Sequence, residues 1–200
     1  MRIVTAQELE SWLATGKVLE KDGRGPKVVA LENGLFLKIF HTRRHPLLAR
    51  WHPAAKRFAE NAHQLQQLEI QVPEVQELLW IDKSAGLSAC LYRPLPGTSV
   101  EDIYNQNPDG IIILLPALAK FIRTLHKRGV YFRSLHLGNI IQLSGEQFGL
   151  IDILDLQFKG RQINRWLVQR NLRHLQHYLN RRKLTDFPLQ KLVEQYRRVP

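Results

Sequence analysis

The chain has 200 residues, 44% of them hydrophobic, with 29 Lys and Arg against 18 Asp and Glu for a formal charge of +11, and a single cysteine, Cys90. That length supports one sizeable core or two small lobes sharing a cleft, and one cysteine excludes an internal disulfide. The charge favours an anionic partner, whether phosphorylated lipid, membrane surface or nucleic acid, while the longest apolar run, Ile111 to Ile122, is broken by Pro116 and Lys120 and is shorter than the roughly 20 residues that cross a bilayer.

The opening MRIVTAQELESWL has neither the basic start nor the long apolar stretch of a signal peptide, so a cytoplasmic chain is expected. Thr5 reads as the N-cap of a short helix, Ala6 to Thr15. Three strands follow, Lys17 to Glu20, Lys27 to Leu31 and Leu35 to Phe40, the last two joined at Asn33-Gly34, a strong hairpin signal. Gly23-Arg24-Gly25 fills the first turn. It is either a plain flexible turn or a place where backbone N–H groups lie against phosphates. Lys38 is the single ammonium of an alternating strand.

From Pro53 to Leu68, Phe58, Ala62, Leu65 and Leu68 define one helical face. Glu60 then points away from that face into solvent. Strands Glu77 to Ile81 and Leu87 to Tyr92 lead into Tyr92-Arg93-Pro94-Leu95-Pro96-Gly97-Thr98-Ser99-Val100, a Pro- and Gly-rich connection, and after Pro108-Asp109-Gly110 a buried helix runs to Lys127.

The segment from Leu125 to Leu156 carries the chemistry. Ile140 to Leu143 and Gln147 to Ile153 read as strands joined by Ser144-Gly145-Glu146. Their hairpin brings Asn139 to Asp152, read here as a buried acid. An amide oxygen and a carboxylate suit a hard cation such as magnesium, which keeps waters and bridges phosphates; the alternative is an Asp that caps a turn. Lys159-Gly160-Arg161 opens the next helix, with Val168, Leu172, Leu175 and Leu179 on one face and Arg165, Gln169, Arg173 and His177 on the other. That basic face is either solvated or a lipid-phosphate contact. His41, His45 and His52 have no metal-ligand spacing.

Phe132-Arg133-Ser134-Leu135, then Asn139, then Asp152-Ile153-Leu154 resembles the H-R-D-L-x-x-x-N and D-F-G motifs of the protein-kinase-like superfamily. Leu135-His136-Leu137-Gly138-Asn139-Ile140 is similar to the D-L-H-P-G-N-I of its small-molecule and sugar kinases. Gly23-Arg24-Gly25, the run from Leu37 to Arg44, Ile70-Gln71-Val72-Pro73-Glu74 and the helix with Trp166 and Arg170-Asn171-Leu172 resemble features of the kinases that phosphorylate Kdo and heptose in the lipopolysaccharide inner core. That family includes a bacterial branch labelled toluene tolerance protein, and the resemblance spans Lys17 to Tyr178.

The resemblance implies an α+β, small bilobal protein-kinase-like fold, with residues 1–93 as an N-lobe of antiparallel sheet plus helix and 94–200 as a mainly helical C-lobe of one kinase-like domain. It implies ATP and Mg2+ as cofactors, with Lys38, Gly23, Gly25 and hinge residue Leu95 on the nucleotide and Asn139 and Asp152 on the metal. The substrate would be an anionic glycolipid or phosphorylated sugar, reached by peripheral contact at the inner face of the inner membrane. Nucleic acid is not expected, since no helix-turn-helix, RNA-binding or zinc motif is visible.

Two positions depart from the family pattern. Ser134 stands at the catalytic Asp position and Phe132 replaces the His, which leaves His136 or Asp155 as the substitute proton acceptor, the alternative being that His136 hydrogen-bonds the loop backbone and Asp155 caps it. Two readings follow: a phosphotransferase, or a non-catalytic pseudokinase that binds nucleotide or acts as a scaffold.

Overall fold

A computed structural model describes residues 1–41 and 46–199. The chain forms two compact units, Met1–Gln67 with Val72–Pro94, and Leu68–Gln71 with Leu95–Pro200. The class is α+β.

The first unit is built on a mixed six-stranded sheet. It contains β1 (Arg2–Ile3), α1 (Ala6–Thr15), β2 (Lys17–Asp22), β3 (Gly25–Ala30), β4 (Phe36–Phe40), α2 (Pro46–Trp51), α3 (Ala54–Gln67), β5 (Glu74–Asp82) and β6 (Leu87–Arg93). The strand order is β1-β5-β6-β4-β3-β2, antiparallel except for β1 against β5. Alternation along β4 sends Leu37 and Ile39 to one face, where they join Val29, Leu79, Ala89 and Leu91 in a core against Leu9, Trp12 and Leu13 of α1. Phe36, Lys38 and Phe40 take the other face, and Phe40 and Tyr92 pack on Phe58 of α3. Fully buried Ser88 accepts a hydrogen bond from the Ala55 N–H, satisfying one of the donors that the first turn of α3 cannot pair internally.

Thr5 caps α1 as expected, its hydroxyl accepting from the Glu8 N–H. The short parallel strand β1 and α2 are additions to the sequence reading. Arg43 and Arg44, part of the motif that led into the expected basic loop, and His45 lie outside the described residues.

The second unit contains β7 (Thr98–Ser99), α4 (Val100–Gln106), α5 (Ile111–Lys127), β8 (Val130–Phe132), β9 (Ile140–Gln142), β10 (Phe148–Leu150), β11 (Leu156–Phe158), α6 (Arg165–Arg182) and α7 (Leu189–Arg198). Strands β10, β9 and β7 form one small sheet, and β11 and β8 form another. Helix α5 buries Leu115, Leu118, Ile122 and Leu125, and packs on α7 through Arg123, whose guanidinium lies 5.3 Å from the Tyr196 ring centre.

The structure departs from the sequence expectation at three points. The second hairpin strand stops at Leu150 rather than Ile153, because Asp152 takes a left-handed backbone conformation with φ 53° and a 3-10 turn follows at Ile153–Asp155. The last long helix opens at Arg165, not at Lys159-Gly160-Arg161: Gly160 has φ 65°, and Asn164 is the cap, its side chain accepting from the Leu167 N–H. Asp152 is exposed, not buried.

Candidate functional site

Phe132 and Leu156 are register partners in the β8–β11 pair. Everything between them, including Ser134, His136, Asn139, Asp152 and Asp155, is therefore one excursion with its two ends pinned together. Inside it, β9 and β10 form the hairpin, and β9 is also held by β7 through Ser99 and Ile141. The pairing continues one step past the strands: the Ile151 N–H donates to the Asn139 carbonyl at 3.0 Å. Asn139 and Asp152 thus both lie at the hairpin mouth, one residue beyond its last backbone bond in the case of Asp152.

Asn139 is fixed on three sides. Its N–H donates to the His136 carbonyl at 3.0 Å, its carbonyl accepts from Ile151, and its side-chain Nδ2 donates to the Ser134 carbonyl at 3.2 Å. The last bond orients the amide and leaves Oδ1, the atom that would face a metal, outside it. Residue 139 is buried while Asp152 reaches solvent. The left-handed backbone at Asp152 is a conformation in which Asp and Asn are tolerated far better than most residues.

The pair offers one amide oxygen and one carboxylate. Two oxygens are too few for a closed structural site, and among the described residues no group of three or more His, Cys, Asp or Glu side chains could hold a metal ion. Two hard oxygens do suit magnesium, which fills most of its octahedron with water and ligand phosphate.

A second polar cluster lies beside this one and was not foreseen. Glu101 of α4, a buried carboxylate, accepts from the Tyr178 hydroxyl and from Arg182 Nε at 2.7 Å. The Tyr178 ring stacks on His136. Burial pushes the His136 imidazole below its usual range, with Asp152 and Glu101 opposing and Arg181 and Arg182 reinforcing. Neutral imidazole is the form that can accept a proton. Its Nδ1 is buried with no hydrogen-bond partner among the described residues. In the sequence Glu101 reads as a first-turn acid of α4 and Tyr178 as one more helical aromatic; nothing in their spacing, 77 positions apart, joins them.

The helix that carries Tyr178 also positions the excursion. Asn171 Nδ2 donates to the Phe132 carbonyl at 2.6 Å, and its Oδ1 lies 3.1 Å from His126 Nε2, whose Nδ1 is 2.8 Å from the Tyr196 hydroxyl. Asn171 and His126 are both buried. One polar chain thus links α7, α5, α6 and the end of β8.

Lys38, Gly23 and Gly25 belong to the first unit and Leu95 to the second. The Lys38 ammonium is 5.8 Å from the Phe58 ring centre, on the α3 side of the sheet. Glu60 instead pairs with His52 at 2.8 Å on the exposed side of α3. In the glycine turn the Arg24 N–H is taken by the Asp22 carboxylate at 2.8 Å, which holds that acid below its usual range. Leu95 Cδ1 lies against the bare Cα of Gly149. Asp155 is exposed at the end of the 3-10 turn.

No protein-family model matches this chain, and no curated protein sequence matches it significantly.

Proposed function

We propose that this protein is a magnesium- and ATP-dependent phosphotransferase of kinase-like bilobal architecture, acting on sugars of the lipopolysaccharide inner core. The observation that carries the reading is the pinned excursion: an amide oriented by the Ser134 carbonyl beside an exposed carboxylate at a hairpin mouth. Asn139 and Asp152 would hold magnesium, which when bound neutralises charge on the transferring phosphate. By the resemblance, Lys38 orients the nucleotide phosphates, Gly23, Gly25 and Leu95 border the nucleotide, and an anionic glycolipid is the acceptor, met by a cytoplasmic protein at the inner face of the inner membrane.

Proton removal falls to His136 or Asp155 in this reading, because the Ser134 hydroxyl is far too weak an acid to serve as a base near neutral pH. Phosphoryl transfer tolerates that loss better than most reactions, since its loose transition state depends mainly on positioning and charge neutralisation. Ser134 is also what favours the second reading, a nucleotide-binding pseudokinase without turnover.

Incubation of the purified protein with Mg-ATP and core oligosaccharide separates the two. A mass gain of one phosphate on the sugar supports the enzyme. ATP binding without that gain supports the pseudokinase, and no metal-dependent ATP binding removes both.

A further inference from the structure

The positive charge of the chain is concentrated at one end. Residues 159–200 contain eleven Lys and Arg against two acids, Asp186 and Glu194, so this segment carries +9 of the net +11. Helix α6 alone has five Arg, two His and no acid in 18 residues. A merely solvated helix face mixes signs and gains from i,i+4 pairs of opposite charge. This one has no acid with which to make them.

At 100° per residue, Trp166, Arg170, Arg173, His177 and Arg181 fall in a stripe about 80° wide. All five are exposed, and the stripe lies away from the buried Asn171, Leu175, Tyr178 and Leu179. Trp166 keeps 59% of its surface open at one end of the stripe, with the Arg170 guanidinium 5.3 Å from its ring centre. At the other end the Arg181 guanidinium sits 5.7 Å from the ring centre of Tyr178, the residue that stacks on His136. Arg133, from the excursion itself, acts together with Arg170 on His174.

We propose that this α6 stripe docks the protein on an anionic bilayer surface, with Trp166 at the headgroup level and the Arg181 end leading to the His136 loop. Arginines on the outer face attract anionic headgroups, and an exposed Trp among them is the side chain that settles at headgroup level, while no helix described here is long and apolar enough to cross a membrane. The exposed Trp distinguishes the face from a purely electrostatic nucleic-acid footprint. Docking this way sets headgroups beside Asn139 and Asp152. The inference rests on the proposed glycolipid substrate only for its purpose, since the charge and the stripe need no nucleotide.

The test uses the full chain, without nucleotide, and sedimentation with phosphatidylcholine vesicles with and without phosphatidylglycerol. Binding is expected only with phosphatidylglycerol, weakening as salt rises. The triple variant Arg170→Gln/Arg173→Gln/Arg181→Gln should bind about 100-fold more weakly, at about five-fold per charge near such a surface. A charge-matched control, Lys21→Gln/Lys83→Gln/Arg93→Gln, changes three exposed residues of the first unit and should bind within a few-fold of wild type. Trp166→Phe should bind several-fold more weakly.

Equal losses in both triple variants, equal binding to both vesicle types, or displacement by inorganic phosphate at matched ionic strength would each overturn the docking face. So would duplex DNA that binds more tightly than vesicles and through the same three arginines. Vesicle binding without phosphotransfer would sink the catalytic reading and leave the docking face standing; phosphotransfer by a protein that ignores vesicles would do the reverse.

Discussion

The imidazole of His136 lies flat on the phenol of Tyr178, ring centroids 4.1 Å apart and planes within 6° of each other. Tyr178 is itself held through its hydroxyl by buried Glu101. A carboxylate on α4 thereby sets the plane of a ring in the excursion. Tyr178→Phe keeps the stack but removes one of the donors to Glu101, which should cost about 1–3 kcal/mol in chemical denaturation. Tyr178→Ala should also open His136 to water, and its NMR titration midpoint should rise toward the ordinary histidine value of about 6.5.

His126 makes stability depend on pH. Burial pushes its imidazole down to about 4, the Asn171 hydrogen bond opposing. The folded protein therefore holds it neutral while the unfolded chain protonates below about pH 6.5. Its contribution is full above about pH 6.5 and is lost progressively as pH falls toward 4, by up to ~3 kcal/mol. His136 and His174, also held low by burial, add in the same direction. His126→Gln should reduce, without abolishing, the loss of urea stability between pH 7 and about pH 4.5 relative to wild type.

Gly149 should resist substitution. A Cβ there would sit 2.5 Å from Leu95 Cδ1 and 2.7 Å from the Gln71 carbonyl oxygen, which already accepts from the Leu150 N–H. Backbone cannot give way as a flexible side-chain end can, so Gly149→Ala should lose about 1–3 kcal/mol. Gly145, at the hairpin tip with φ 62° and nothing nearby, should lose only the strain of its left-handed conformation, about 1–2 kcal/mol. Thermal unfolding of the two variants compares them directly.

If Asp152 holds magnesium, Asp152→Asn should abolish the magnesium-dependent part of ATP affinity measured by calorimetry. Glu60→Gln should leave it unchanged, because Glu60 is engaged by His52 on the exposed side of α3. Equal effects of the two substitutions would refute the metal assignment.

Ser134→Asp restores an acceptor carboxylate beside Arg133. In a handicapped kinase it should raise phosphotransfer by part of the 10²–10⁴-fold available to a general base. In a scaffold it should give no turnover, and repulsion from Asp152 should weaken nucleotide binding. Wild-type activity that Ser134→Asp leaves unchanged would move attention to His136→Ala.

Local signals carried much of the architecture. Thr5 before an amphipathic run, Asn33-Gly34 between alternating strands, and Phe58, Ala62 and Leu65 at helical spacing each specify structure within a few residues, and α1, the β3–β4 hairpin and α3 stand where those signals put them. The same periodicity placed Glu60 on the solvent side. What escaped was long-range or conformational. The β1–β5 pair joins residues 77 positions apart through a strand of only two residues, and Glu101 meets Tyr178 across the same gap. The left-handed turn at Asp152 leaves no trace in hydrophobic alternation, so the sequence pattern runs the strand three residues past its end at Leu150 and puts the acid in the core.

That left-handed backbone also constrains how this position can drift. Most side chains are strained at φ 53°, whereas Asn and Gly are accommodated. An Asp codon becomes an Asn or a Gly codon by a single base change, so a lineage can discard the carboxylate without disturbing the turn. If Asp152 holds magnesium, loss of metal binding and loss of the fold are thereby uncoupled at residue 152, and descendants that keep the shape while shedding the chemistry are the expected product of relaxed selection.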